Sequence, residues 1–158
     1  MALEIEVKAR VDEPELLKTR LSAFGKADCS YEKEDTYWFP LAEKAVSGNG
    51  PALPPSGLRV RRENNGPFGT APAEQRQTTL VTYKIREPPG ADGIEVNQER
   101  EFTVSDAGVF EELLGRLGLA PGIGKHKQGW AWNCAGKDGD VIRAELSEVR
   151  GLGWFIEL

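Results

Sequence analysis

Leu3-Glu4-Ile5-Glu6-Val7-Lys8-Ala9-Arg10-Val11 alternates without interruption. Leu3, Ile5, Val7, Ala9 and Val11 fall on one face of an extended chain, and Glu4, Glu6, Lys8 and Arg10 on the other. A period of two marks a β-strand with one apolar and one charged face. The same grammar returns at Leu58–Arg62, Thr79–Arg86, Ile94–Val104, Ile123–Trp132, Val141–Val149 and Trp154–Leu158. Part of Cys29–Phe39, rich in aromatic and β-branched residues, adds another strand.

Two segments carry helical spacing instead. After Asp12, read as the N-cap, and Pro14 in the first turn, Leu16, Leu17, Leu21 and Phe24 recur until Gly25 stops the pattern. Asp106 caps a second helix, whose stripe is Val109, Phe110, Leu113, Leu114 and Leu117, ending at Gly118. Pro40–Gly57 holds four prolines and three glycines and reads as a long loop able to act as a lid. Asn64-Asn65-Gly66-Pro67 through Arg76 reads as a second break. About eight antiparallel strands with two helices packed outside predict an α+β fold whose sheet closes into a barrel.

The chain has 158 residues, 39% of them apolar, which suits a single domain with its own core. Its formal charge of −5 argues against non-specific nucleic-acid binding and against an anionic membrane surface. No apolar run reaches the roughly 18 residues of a membrane span. Cys29 and Cys134 read as free thiols, and the charged start shows no signal peptide, so the expected setting is the cytoplasm. Oligomeric state stays open, a homodimer included.

Charge repeats at i and i+2 on strand after strand: Glu4, Glu6 and Lys8; Arg59 and Arg61; Lys84 and Arg86; Glu99 and Glu101; Lys125 and Lys127; Arg143 and Glu145. One charged strand face ordinarily meets water. Closed inward, such faces would be costly unless paired with each other or with a ligand. A polyanion plus divalent metal satisfies both signs, since Arg and Lys take phosphate oxygens and paired carboxylates offer the hard oxygens that Mg²⁺ or Mn²⁺ prefers. There is no Walker loop, Gly122-Ile123-Gly124 lacks the rest of a dinucleotide fingerprint, and the sole histidine, His126, is read as structural. Trp130, Trp132 and Trp154 are read as packing.

Glu4-Ile5-Glu6-Val7-Lys8 resembles the ExExK opening of the CYTH superfamily of class IV adenylate cyclases and thiamine triphosphatase-like proteins. Asp35-Thr36-Tyr37, Leu58-Arg59-Val60-Arg61, Thr82-Tyr83-Lys84, Glu99-Arg100-Glu101 and Glu148 through Glu157 resemble later blocks of that family. Lys8-Ala9-Arg10 and Val149-Arg150-Gly151-Leu152-Gly153-Trp154-Phe155 look most like the cyclase branch. The resemblance implies a triphosphate tunnel fold and, as first reading, conversion of ATP to cyclic AMP and pyrophosphate. The alternatives are hydrolysis of tripolyphosphate or another triphosphate, and a non-catalytic polyphosphate- or nucleotide-binding module.

By the same resemblance, Glu4, Glu6 and Glu157 would be metal carboxylates, with Glu99 and Glu101 beside them and Glu145 compensating for Ser147, which stands where the family usually has Asp. Lys8 would join Glu4 and Glu6 in catalysis. Lys8, Arg59, Arg61, Lys84, Lys125 and Lys127, then Arg86 and Arg143, would contact phosphates. Lys127 replaces a frequent Arg, exchanging a two-pronged contact for a point charge. The family tends to continue beyond the position of Leu158, so a C-terminal extension is expected to be missing.

Overall fold

The computed structural model describes residues 2–41, 56–70, 76–86, 95–137 and 139–158. The proposed lid falls mostly on residues 42–55, outside the described residues. Among the described residues, nine strands and two helices follow in the order β1 (Ala2–Glu6), β2 (Lys8–Val11), α1 (Pro14–Phe24), β3 (Gly25–Pro40), β4 (Ser56–Pro67), β5 (Arg76–Arg86), β6 (Glu95–Val104), α2 (Ala107–Arg116), β7 (Leu119–Ala135), β8 (Val141–Val149) and β9 (Gly153–Glu157). The strands form one sheet in the order β1-β6-β5-β4-β3-β7-β8-β9-β2. The registers resolved for β2 with β9, β5 with β6, β7 with β8 and β8 with β9 are all antiparallel.

The opening alternation is therefore one run of chain divided at Val7. Counting it once gives the eight expected strands. Its two pieces stand at opposite ends of the strand order. Val7 itself exchanges both backbone hydrogen bonds with Leu158, at 3.0 and 2.9 Å.

Three local expectations shift. The α1 N-cap is Glu13, not Asp12, and its side chain makes no capping bond; Pro14, with its preset φ, starts the helix. β4 continues through Asn64-Asn65-Gly66-Pro67, where Asn64 donates to Glu32 at 3.3 Å and Asn65 to Glu63 at 3.2 Å. These side-chain bonds occupy groups that would otherwise favour a turn. The Asp106 cap is as expected, its carboxylate accepting from Val109 N at 3.0 Å. Only part of the α2 stripe is used, because Phe110 and Leu114 turn to the sheet while Val109, Leu113 and Leu117 stay exposed. Five apolar positions make a wider stripe than one line of sheet contact covers.

The chain divides into two compact units. One comprises Met1–Ile5, Glu34–Arg62 and Thr78–Lys125. In it α2 lays Leu114 and Phe110 on Trp38, Val60, Leu58 and Leu119, and Phe102 meets Phe110 edge-on with centroids 6.1 Å apart. The other comprises Glu6–Lys33, Glu63–Gln77 and His126–Leu158. Here α1 covers the tryptophan face: Lys18 Nζ lies 3.4 Å from the Trp130 ring centroid, Trp132 donates to Ser22, and Trp130 stacks on Trp154 at 5.8 Å. Trp132 and Leu146 are fully buried there, and Leu146 alone is worth about 1.5–3 kcal/mol of burial. Gly129 permits the close β7–β8 approach, because a Cβ at this position would stand 2.1 Å from the Leu146 carbonyl oxygen.

Candidate functional site

Strand periodicity fixes which side chains meet. In the second unit the tryptophans face α1, so the alternate residues point away from it. Lys8 pairs with Glu157 across β2 and β9, and Glu157 pairs with Glu145 across β9 and β8. Directly opposed residues share a face, with Cβ atoms about 4.5–5.5 Å apart. The charged row Lys8–Glu157–Glu145 is thus a consequence of register. Arg143 and Ser147 flank Glu145 on the same face of β8.

Apart from Lys8, whose side chain is 44% exposed, this row is not a solvated surface. Lys127 is 3% exposed and Lys33 5%, and the carboxyl-bearing side chains of Glu145 and Glu157 are only 14% and 13% exposed. Lys33 Nζ donates to both Glu145 oxygens at 3.1 and 2.9 Å. Lys127 Nζ donates to Glu157 Oε2 at 2.8 Å and lies 3.7 Å from Glu145 Oε2. Lys8 Nζ bridges Glu6 at 2.8 Å and Glu157 at 3.1 Å. Arg143 reaches Glu145, Asp28 and the Cys29 sulfur.

The pairing shows in the acidities. Burial alone would raise Glu145, yet the charges of Lys33 and Lys127 overcome it and hold the carboxyl down at about 2. Glu157 is likewise burdened by burial and pulled down on balance by Lys127 and Lys8. Lys8 is raised, because its bonds and charges with Glu6 and Glu157 outweigh burial. Tyr31 is pushed up, first by burial and then by the Glu145 charge.

Three buried oxygens in this unit lack a hydrogen-bond partner: Tyr31 Oη, Ser147 Oγ and Glu157 Oε1. Lys8 Nζ is within ion-pair distance of the last but without hydrogen-bond angles. Tyr31 lies beside Ser147, Glu145 and Glu157. Together they form a hard oxygen donor set of the kind Mg²⁺ or Mn²⁺ prefers. No ready-made group of three His, Cys, Asp or Glu side chains stands among the described residues. The donor chemistry fits a hard divalent ion, while the lysines hold the carboxylates.

The first unit has its own cluster. Arg61 grips Asp35 with a two-pronged contact, Nε to Oδ1 at 2.6 Å and Nη2 to Oδ2 at 2.9 Å, with Asp35 1% exposed. Burial would raise Asp35, but Arg61, Arg59 and Lys125 lower it. Arg59 donates to Thr82 Oγ1 at 2.8 Å, Thr82 donates to Glu101 at 3.0 Å, and Arg59 lies 3.6 Å from Glu101.

The structure therefore gathers Glu6, Lys8, Lys127, Arg143, Glu145 and Glu157 in one unit and Arg59, Arg61, Lys125 and Glu101 in the other. Glu4 lies on β1; Lys84 and Arg86 lie on β5, and Lys84 is in register with Glu99 of β6. The side chains of these four lie outside the described residues. Sequence reading assigned no role to Lys33, Asp35, Tyr31 or Thr82. The signal for three of them was the i, i+2 series Tyr31, Lys33, Asp35 inside an otherwise aromatic strand. His126 pairs with Glu32 at 2.8 Å, in keeping with a structural role.

The sequence matches the CYTH domain over residues 2–158. Among curated proteins none matches it. The PH1819 protein of Pyrococcus horikoshii superposes with a TM-score of 0.72 at 22% identity, over 99% of this chain and 76% of that one. The PH1012 protein of the same organism gives 0.65 at 27% identity, over 98% and 76%. HpAC1 of Hippeastrum, an adenylyl cyclase candidate with a dominant triphosphatase activity, gives 0.61 at 17% identity, over 99% and 78%. The α+β fold expected from the strand pattern, and the triphosphate tunnel fold implied by the resemblance, are the fold of the CYTH domain. With the domain match extending from the opening strand to the last glutamate of the charged row, the chain belongs to the CYTH domain family.

Proposed function

We propose that this protein is a divalent metal-dependent enzyme that hydrolyses a triphosphate, with tripolyphosphate or a nucleoside triphosphate as substrate. The observation that carries the reading is the pair of largely buried glutamates, Glu157 and Glu145, with Lys33 and Lys127 across them and the more exposed Lys8 at one end of the row. Buried ion pairs of this kind contribute little to stability compared with apolar packing. Retained as a group, they suit a ligand that takes over one sign of charge.

Lys33, Lys127 and Lys8 are the groups that would take non-bridging phosphate oxygens in this unit, each as a mobile point charge. Arg59, Arg61 and Lys125 form a second basic cluster with the same chemistry. Glu145 and Glu157, with the Ser147 and Tyr31 hydroxyls, are the groups that would hold Mg²⁺ or Mn²⁺. When bound, such an ion supplies Lewis-acid stabilisation of phosphate charge. The chain's own contribution is positioning and charge neutralisation, which dominate phosphoryl transfer. Water forms the new bond to the terminal phosphorus and gives up a proton, the bridging P–O bond breaks, and pyrophosphate or a nucleoside diphosphate leaves, with the terminal group released as orthophosphate.

Hydrolysis ranks ahead of cyclisation because the stacked Trp130 and Trp154, the aromatic pair suited to a base, lie on the α1 face under Lys18, opposite the face that carries Lys8 and Lys127. The same fold carries a dominant triphosphatase activity in HpAC1. Cyclisation of ATP is the second reading, favoured by Lys8-Ala9-Arg10 and the run Val149–Phe155, which resemble the cyclase branch. A cytoplasmic setting completes the proposal, in line with free Cys29 and Cys134 and with no described helix long and apolar enough to cross a membrane.

Incubation with tripolyphosphate or ATP and either metal, followed by ³¹P NMR, tests it. Orthophosphate is the expected product. Cyclic AMP with pyrophosphate would establish the second reading, and tight binding without turnover would make the protein a binding module.

A further inference from the structure

The carboxylates best placed to hold a metal are already held by the chain's own cations. Lys33 occupies both oxygens of Glu145, Lys127 occupies one oxygen of Glu157, and Lys8 lies against the other. Among the described residues around them, four cations, Lys8, Lys33, Lys127 and Arg143, stand against four carboxylates, Glu6, Glu145, Glu157 and Asp28. A divalent cation entering between Glu145 and Glu157, which are largely buried and already balanced, would leave uncompensated positive charge where such charge is costly. A polyanion entering first reverses the imbalance, drawing the lysines to phosphate oxygens and leaving the carboxylates short of cations.

We infer that the lysines act as a clamp that keeps the metal ligands closed until a polyphosphate opens them, so that the free protein binds divalent metal poorly. The inference rests on the triphosphate reading and adds the order of events to it. The clamp has a specific geometry, since the two glutamates face each other across β8 and β9 and Lys127 touches both. Ser147 Oγ and Tyr31 Oη, without hydrogen bonds, and Glu157 Oε1, held only by the charge of Lys8, are the oxygens on the closed side.

The test is Mn²⁺ binding to the whole chain, followed by electron paramagnetic resonance of the free ion, with no polyphosphate present. Wild type is expected to bind weakly, and Lys33→Gln, which removes the cation from Glu145, to bind at least about tenfold more tightly. Equal affinity in wild type and variant overturns the clamp. Lys127→Gln serves as a second release variant, with circular dichroism confirming the fold of both. Should neither fold, wild type decides: Mn²⁺ retention that tripolyphosphate leaves unchanged overturns the clamp, and retention only with tripolyphosphate supports it. A separate calorimetric titration of wild type with tripolyphosphate in chelator distinguishes the two proposals. Heat of binding is expected there, because the polyanion enters before the metal; no heat overturns the opening of the clamp, whereas heat without phosphate release in the ³¹P assay removes the enzymatic reading and leaves the clamp.

Discussion

Lys127, on β7, reaches over β8 to place its ammonium 2.8 Å from Glu157 on β9. Both side chains are largely buried, and this is the shorter contact of each, Lys8 lying 3.1 Å from Glu157 and Glu145 3.7 Å from Lys127. Removing one partner of a buried pair costs about 3–5 kcal/mol, because the remaining charge is left unpaired. Lys127→Met is therefore expected to lower stability in urea by that order and to weaken tripolyphosphate binding in calorimetry. A variant as stable as wild type would show that the pair is solvated in solution.

Acid should unfold the protein through the same carboxylates. Glu145 sits at about 2 when folded against an ordinary value of 4.5, so the unfolded chain takes up the proton first as pH falls. Its contribution is fully present above about pH 4.5 and is lost as pH approaches 2. Glu157 and Asp35, also lowered, act in the same direction. Melting temperature measured across this range should fall steeply below pH 4.5.

Ser147 makes the opposite kind of prediction. Its hydroxyl is buried without a hydrogen bond, so Ser147→Ala removes a polar group that gains nothing from the fold. Denaturation should show a change between about zero and 1 kcal/mol in the stabilising direction. A loss of more than that would reveal a partner for the hydroxyl.

Asp35 and Arg61 test the other unit. Asp35→Ala removes the buried carboxylate that takes both prongs of the Arg61 contact and should cost about 3–5 kcal/mol. Arg61→Lys keeps the charge but gives up the two-pronged contact and should cost less, about 1–3 kcal/mol. Chemical denaturation of the two variants side by side gives the ranking.

Glu6 is more exposed and pairs only modestly with Lys8. Glu6→Gln should change stability by under about 1 kcal/mol while abolishing phosphate release from tripolyphosphate. Unchanged turnover would remove Glu6 from the catalytic set.

The amino-acid sequence by itself determined the strands, both helices and the charged faces, because alternation and helical spacing are local properties of the chain. It also carried the family resemblance, which the domain match bears out over residues 2–158. Local pattern could not say that the opening strand divides at Val7, or that Asn64–Pro67 stays in β4, since both depend on which strand lies alongside. Nor could it show that Lys33 belongs to Glu145, 112 positions away, or that Arg61 belongs to Asp35. Those partnerships are set by register between strands distant in sequence, and register is fixed only when the apolar faces have found their helices. Charge was legible residue by residue; which charge neutralises which was decided by the tertiary structure.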